Sequence, residues 1–206
     1  MKKGILFIIS SPSGGGKGTL IREILDTVPN VGYSISFTTR RARAGEEHGK
    51  HYFFVGSSEF ENLIREGEFL EYARVHGNFY GTSRSQVEKE LNYGRDIILE
   101  IDVQGATSIK QVMPESVSVF ILPPSLEVLR ERLKKRGSES EADFALRIKN
   151  SRGETERFRE FEYIVINDDK ETAARQLASI FYAERARLHR MENTALRILE
   201  TFQGNE

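Results

Sequence analysis

The residues at positions 14–19 run Gly-Gly-Gly-Lys-Gly-Thr, directly behind a short apolar run that ends in Ser and Pro. Glycine loses more conformational freedom on folding than any other residue, so three together need a reason, such as an unusual turn or the close approach of a large group. Phosphate binding is the chemistry that suits them. With no Cβ in the way, successive backbone N–H groups can point inward around an anion, and a following helix adds the positive end of its dipole. Lys17 would then reach the outer phosphates as a point charge. Against the pattern G-x-x-x-x-G-K-[ST], the aligned residues are Ser11, Pro12, Ser13, Gly14, Gly15, Gly16, Lys17 and Gly18, with Thr19 next. Ser11 replaces the first glycine, which asks for a less extreme turn. Gly18 replaces the hydroxyl that usually meets Mg²⁺, so Thr19 takes over or the ion is held through waters. The plain alternative is a flexible glycine loop carrying a solvated lysine.

Further along, Arg40, Arg41 and Arg43 stand close together with Tyr52 nearby. Arginine forks match phosphate geometry, and a tyrosine hydroxyl adds a neutral donor; a solvated basic turn is the competing account of each arginine. Glu71 stands near Tyr80, Gly81 and Thr82. A carboxylate can accept both hydrogen bonds offered by the N1–H and N2–H₂ edge of guanine, whereas adenine presents an acceptor at N1. Most helix-surface glutamates are merely solvated. Glu100 and Asp102 lie at the end of an apolar run, where a carboxylate beside a phosphate loop orients Mg²⁺ or its waters; Asp102 could equally cap a turn or helix. Arg132, Arg136 and Arg147 lie in a charged segment that is either a solvated face or a source of cations over transferring phosphate.

Elements must position these groups. Apolar runs at 5–9, 96–101, 118–122 and 163–166 read as buried strands, each followed by turn chemistry and a helical pattern. Helices are expected over 19–25, 106–112 and 126–135. A long final helix over about 169–190 sets Ala173, Ala174, Leu177, Ile180, Phe181 and Leu188 on one face. The fold class is therefore α/β with a parallel sheet. Residues 33–84, rich in Tyr, Phe, Thr and Arg, break the rhythm as a small β-containing insertion, and the charged residues around 130–158 look like a cover. A single domain of 1–206 is expected: core 1–32, 85–125 and 159–206, insertion 33–84, cover 126–158.

A net charge of -1 over 206 residues disfavours nucleic-acid binding. The absence of cysteine excludes disulfides and thiolate metal sites and fits a reducing compartment. His48, His51, His76 and His189 have no metal-ligand spacing. The start, MKKGILFII, resembles a signal peptide, but its apolar run is short and no cleavage site follows. No run is long enough to span a membrane. The expectation is a soluble, cytoplasmic protein.

The stretches TTRRARAGEEHGKHYFFV, FLEYARVHGNFYGTS, LEIDVQGA, FILPPS and VINDD, in this order and spacing, resemble the guanylate kinase family over nearly the whole chain. That resemblance implies a three-layer P-loop core with a GMP-binding insertion and a helical lid, an enzyme moving the γ-phosphoryl group of ATP to GMP, and Mg²⁺ as cofactor. It implies that residues 13–19 hold the ATP phosphates, with Arg132 and Asn167 also on the ATP side. Ser36, Glu71 and Thr82 would read guanine, Arg40, Arg43, Tyr52 and Tyr80 would hold the GMP phosphate, and Gly81 and Asp102 would complete that site. Thr19, Glu100 and Asp102 would serve the metal. Lys17, Arg40, Arg43, Arg136 and Arg147 would be catalytic. The family usually has Asp where this chain has Glu100. The partners implied are ATP and GMP, with dGMP a candidate, no nucleic acid and no membrane, in a monomer or homodimer. A non-catalytic phosphopeptide-binding module is the rival of another class; such domains tend to lose residues like Lys17, Arg136 or Arg147, which stand here. A kinase for another small phosphate would not need Ser36, Glu71 and Thr82.

Overall fold

The computed structural model describes residues 2–75, 77–135 and 141–203. From the amino end, strand β1 (Leu6–Ser10) leads into helix α1 (Lys17–Thr27) and strand β2 (Val31–Tyr33). Short strands β3 (Phe37–Thr38) and β4 (Phe53–Phe54), helix α2 (Ser57–Arg65) and the hairpin of β5 (Phe69–Val75) and β6 (Asn78–Ser83) follow. Helix α3 (Arg84–Asn92), strand β7 (Asp96–Glu100), helix α4 (Val103–Val112) and strand β8 (Val117–Leu122) return the chain to the first sheet. Helices α5 (Leu126–Lys135) and α6 (Glu141–Glu156), a 3₁₀ turn, strand β9 (Tyr163–Ile166) and helices α7 (Lys170–Arg185) and α8 (Leu188–Gln203) complete it.

The main sheet is parallel throughout, in the order β2-β7-β1-β8-β9, and a second sheet runs β4-β3-β6-β5. Every residue of β1 is buried, because both faces of the strand are covered. Phe7 and Ile9 pack with Ile21, Ile24, Leu177 and Phe181 on the side of α1 and α7. Leu6 and Ile8 pack with Val87, Leu91 and Ile109 on the side of α3 and α4. A strand buried on both faces shows no polar alternation, which is why it reads in sequence as a continuous apolar run. Phe7 and Phe181 stack with ring centroids 3.7 Å apart. Parallel register sets Ile9 opposite Glu100 and Ser10 opposite Phe120, so the end of β1 opens onto the ends of both neighbours. Ligands of open α/β sheets bind at such carboxyl ends.

Two expectations need correcting. Residues 31–33 form a fifth parallel strand, which the sequence conceals because an edge strand of three residues with a central glycine carries no period. The single long final helix is two: α7 ends at Arg185, and its carboxyl end is capped at Ala186, whose N–H donates to the carbonyls of Tyr182 and Ala183. Leu188 therefore does not share the buried face of α7; it is 78% exposed at the start of α8, which also leaves Leu196, Ile198, Leu199 and Phe202 exposed.

One ion pair ties the sheet to its helical layer. Asp96, 3% exposed, accepts the Ile5 N–H and the Arg185 Nε–H, both at 2.8 Å. Removing one partner of a buried pair strands the other charge and costs about 3 kcal/mol. Asp96→Ala should lower the urea unfolding free energy by about that amount, and adding Arg185→Ala should cost less than the sum of the two single changes.

Candidate active site

The glycine loop bridges β1 and α1. Gly14 and Gly16 have φ of 90° and 88°, the left-handed region that L side chains avoid. A Cβ at Gly15 would stand 2.9 Å from the Ser11 Cβ, and one at Gly16 would stand 2.1 Å from the Asn167 amide nitrogen. All three consecutive glycines are thus required, two by conformation and one by packing. Ser11 needs no left-handed backbone, as its type predicts. Asn167 leaves the end of β9 and donates from Nδ2 to the Gly15 carbonyl at 2.8 Å, bracing the loop from below. Helix α1 begins behind Gly16 with no side-chain cap and no acidic residue in its first turn. Its amino end therefore offers N–H groups and a positive dipole to an anion.

Lys17 projects from that end across to β7. Its Nζ donates to the Ile101 carbonyl at 3.1 Å and lies 3.8 Å from Glu100 Oε1. Burial pushes the ammonium pKa down, while Glu100, Asp102 and Glu154 hold it up. Glu100 also accepts the Tyr33 hydroxyl at 3.0 Å. Asp102 caps α4, accepting the Gly105 N–H at 2.8 Å, so its capping role is real. A side chain at Gly18 would meet nothing closer than Glu100 Oε1 at 3.8 Å, so no crowding excludes a hydroxyl there. Thr19 is exposed. Among the described residues, no group of three or more His, Cys, Asp or Glu is placed to hold a metal ion.

A cavity of about 190 Å³ lies beside this loop, lined by Ser36, Tyr52, Glu71, Tyr80, Glu100 and Asp102 among others. That is below the roughly 300–1,000 Å³ of common ligand pockets. A one-residue bulge at Leu70 helps shape it: β5 pairs Phe69 with Ser83 but Glu71 with Thr82. Bulges re-aim side chains. Here Leu70 goes into the core beside Leu91 and Val87, and Glu71 faces Thr82. Thr82, 1% exposed, donates to Glu71 Oε1 at 2.7 Å. Burial raises the Glu71 pKa; the Thr82 hydroxyl opposes the rise and Asp102 adds to it.

The basic residues divide. One terminal nitrogen of Arg40, Nη2, donates to both oxygens of Glu46, at 2.8 and 2.9 Å, while Nη1 donates to the Arg41 carbonyl at 2.7 Å; the guanidinium lies 5.5 Å from the Tyr52 ring centre. Arg40, with the Arg43 N–H, holds the Glu46 carboxyl down to about 2. The Arg43 side chain is exposed on the loop outside. Gly81 does not line the cavity: a Cβ there would strike the Phe69 ring at 2.8 Å, so its place is under the aromatic packing of β6. Arg132 donates from one Nη to the Asn167 carbonyl at 2.8 Å, while its other, Nη1, is buried and has no hydrogen-bond partner among the described residues. That orphan nitrogen lies 3.8 Å from where a Gly16 Cβ would be, at the mouth of the loop. Arg147 donates to Ser13 Oγ at 3.2 Å. Arg136 lies outside the described residues.

Sequence reasoning missed Tyr33, Glu46, Ser151 and Glu154. Glu46 stands six residues from Arg40 across an irregular loop, and the others reach the site from separate elements, so no spacing announces them. A larger cavity, about 760 Å³, opens at the opposite ends of the strands beside Lys3, Met113 and Arg187. None of the candidate site residues lines it, and size alone does not choose a site.

A family model described as "Guanylate kinase" matches residues 3–184. The chain is 45% identical to the guanylate kinase of Caldanaerobacter subterraneus subsp. tengcongensis over 199 residues, covering 97% of each chain. It is 46% identical to that of Thermotoga maritima over 202 residues, covering 98% of each. The crystal structure of guanylate kinase from Anaplasma phagocytophilum superposes with a TM-score of 0.76 at 35% identity, covering 92% of this chain and 90% of that one.

The Glu71 environment has a measurable consequence. A carboxyl whose folded pKa lies above its unfolded one contributes stability below the unfolded value and loses it as pH rises through the folded value. Glu71→Gln cannot titrate. Its melting temperature should therefore gain on the wild type as pH rises above about 4, the ordinary carboxylate value. A difference that stays flat as pH rises would mean the carboxyl is not held in a costly environment.

Proposed function

The chain belongs to the guanylate kinase family, whose reaction transfers the γ-phosphoryl group of ATP to GMP, and we propose that it performs this reaction with the groups described above. The observation that carries the assignment of sites is their shared wall. Glu100 lies 3.8 Å from Lys17 in the phosphate loop and also lines the cavity that holds Glu71. A donor phosphate over Lys17 and an acceptor base against Glu71 would thus be neighbours.

In this reading, ATP phosphates lie in residues 13–19. Guanine enters the cavity, where Glu71, aimed by Thr82, accepts its N1–H and N2–H₂ and Ser36 adds a polar contact. Arg40, Arg43, Tyr52 and Tyr80 take the GMP phosphate, with Gly81 shaping the strand beneath. Arg40 would share its guanidinium between Glu46 and the phosphate, or leave Glu46 for it. Arg132 offers its orphan Nη1 to the ATP phosphates, and Arg147, with Arg136, faces the transferring group. Asn167 serves ATP by holding the loop, with adenine nearby. The GMP phosphate is already an anionic nucleophile, so the protein's task is to orient two polyanions and offset their repulsion.

Magnesium fits this donor set. The oxygens of Thr19, Glu100 and Asp102 are hard ligands of the kind that bind Mg²⁺ directly or through water, together with substrate phosphates. Bound there, the ion would offset phosphate charge. ATP and GMP, and by the same contacts dGMP, are the proposed small-molecule partners of a cytoplasmic enzyme, as a monomer or homodimer, with no nucleic-acid or membrane partner. No described helix is long and apolar enough to cross a membrane.

A coupled assay of ADP release with ATP and Mg²⁺ should respond to GMP and not to AMP, CMP, UMP or buffer; equal release in buffer would remove the acceptor site. Lys17→Met should fold and lose roughly 100- to 1,000-fold in kcat. Glu71→Gln should lose about 100-fold in kcat/KM for GMP, roughly 2.7 kcal/mol, because a donor edge of the base is left poorly matched. Unchanged GMP kinetics would take Glu71 out of the base site.

A further inference from the structure

Three side chains of α6 converge on one residue of the phosphate loop. Arg147 donates to Ser13 Oγ at 3.2 Å, Ser151 Oγ donates to the Ser13 carbonyl at 3.3 Å, and Glu154 Oε2 accepts the Ser13 N–H at 3.1 Å. Positions 147, 151 and 154 share one face of a helix. Every polar group of Ser13 is thus held by α6, and the loop and helix must move together or part at this point.

The third contact differs from the other two. Arg147 is a cation and Ser151 is neutral, but Glu154 brings a carboxylate to a loop whose N–H groups and Lys17 suit anions. A carboxylate accepting a loop N–H occupies the ground that a phosphate oxygen would use. Docking alone does not call for a charge, since a side-chain amide could accept the same bond. Burial pushes the Glu154 pKa up, the Ser13 N–H and Lys17 oppose that rise, and Asp102 adds repulsion. Burial is the largest of these effects, so the Glu154 carboxyl sits in a poorly solvated place with Asp102 and Lys17 acting in opposite directions.

We propose that Glu154 is a positioning residue that docks α6 on Ser13 in competition with the phosphates of ATP. Nucleotide entering the loop releases the carboxylate from Ser13 and uncouples α6, so that Arg147 can follow the phosphates instead of the loop hydroxyl. The proposal rests on the phosphate loop being the ATP site. It differs in sign from a simple structural brace: a brace, once removed, weakens ATP binding, whereas a competing anion, once neutralised, strengthens it.

The test is calorimetric titration of the full chain with ATP and Mg²⁺ in the absence of GMP. Glu154→Gln keeps an acceptor for Ser13 and removes the charge. Its Kd for ATP should fall about 3- to 10-fold at low salt. The gain should shrink as salt rises, because the repulsion it removes is screened. Glu154→Ala, which removes both charge and acceptor, should also bind more tightly and serves if the first variant does not fold. Equal or weaker binding by folded variants overturns the proposal while the wild-type titration stands. If Lys17→Met binds ATP as well as the wild type does, the loop is not the ATP site, and the functional reading falls together with this inference.

Discussion

At Gly16 the Asn167 amide stands where a Cβ would be, and from there it reaches the Gly15 carbonyl. The contact joins the end of β9 to the loop behind β1 and holds a backbone that alternates through left-handed φ. Arg132 in turn donates to the carbonyl of Asn167 and leaves its second nitrogen at the loop mouth. The loop's N–H groups, the start of α1 and the Lys17 side chain all take their directions from this arrangement. Around it the sheet supplies rigidity: β1 is buried on both faces, and its neighbours deliver Glu100 and the start of α5 to the same edge.

Electrostatic pairing is the second theme. Lys17 is near Glu100, Arg40 is paired with Glu46, and Arg147 is engaged at Ser13 beside Glu154. Cations that would otherwise repel one another across a small volume are held in place by carboxylates and backbone oxygens. A site built this way holds its positive charges oriented while carboxylates balance them. In the proposed reading the phosphates exchange with these same carboxylates, so their placement bears on affinity as well as on structure.

The second sheet shows how packing builds specificity. Phe60 stacks on Phe69 and on Phe79, and Phe37 stacks on Phe53, giving the short strands an aromatic core of their own. Gly81 makes room for that core. The bulge at Leu70 then lets one strand serve two purposes, sending Leu70 into the main core and Glu71 toward the cavity. A regular strand would have left Phe69 and Glu71 on one face.

The sequence by itself determined the α/β class, four of the five parallel strands to within a residue or so, the glycine loop between strand and helix, and the residue types proposed for a base site. These were readable because buried strands are continuous apolar runs and because three glycines before a lysine are a local pattern. Tertiary structure decided what local pattern cannot carry. The edge strand β2 is too short to show a period. The division of the last helix at Ala186 is a matter of capping within an otherwise continuous helical stretch. Tyr33, Glu46, Ser151 and Glu154 belong to the site through contacts between separate elements, or across irregular loops where no fixed spacing applies. Even the middle glycine, Gly15, is explained by Ser11 lying against it, and the role of Asn167 by a carbonyl 152 residues earlier in the chain. Proximity of that kind exists only once the chain has folded.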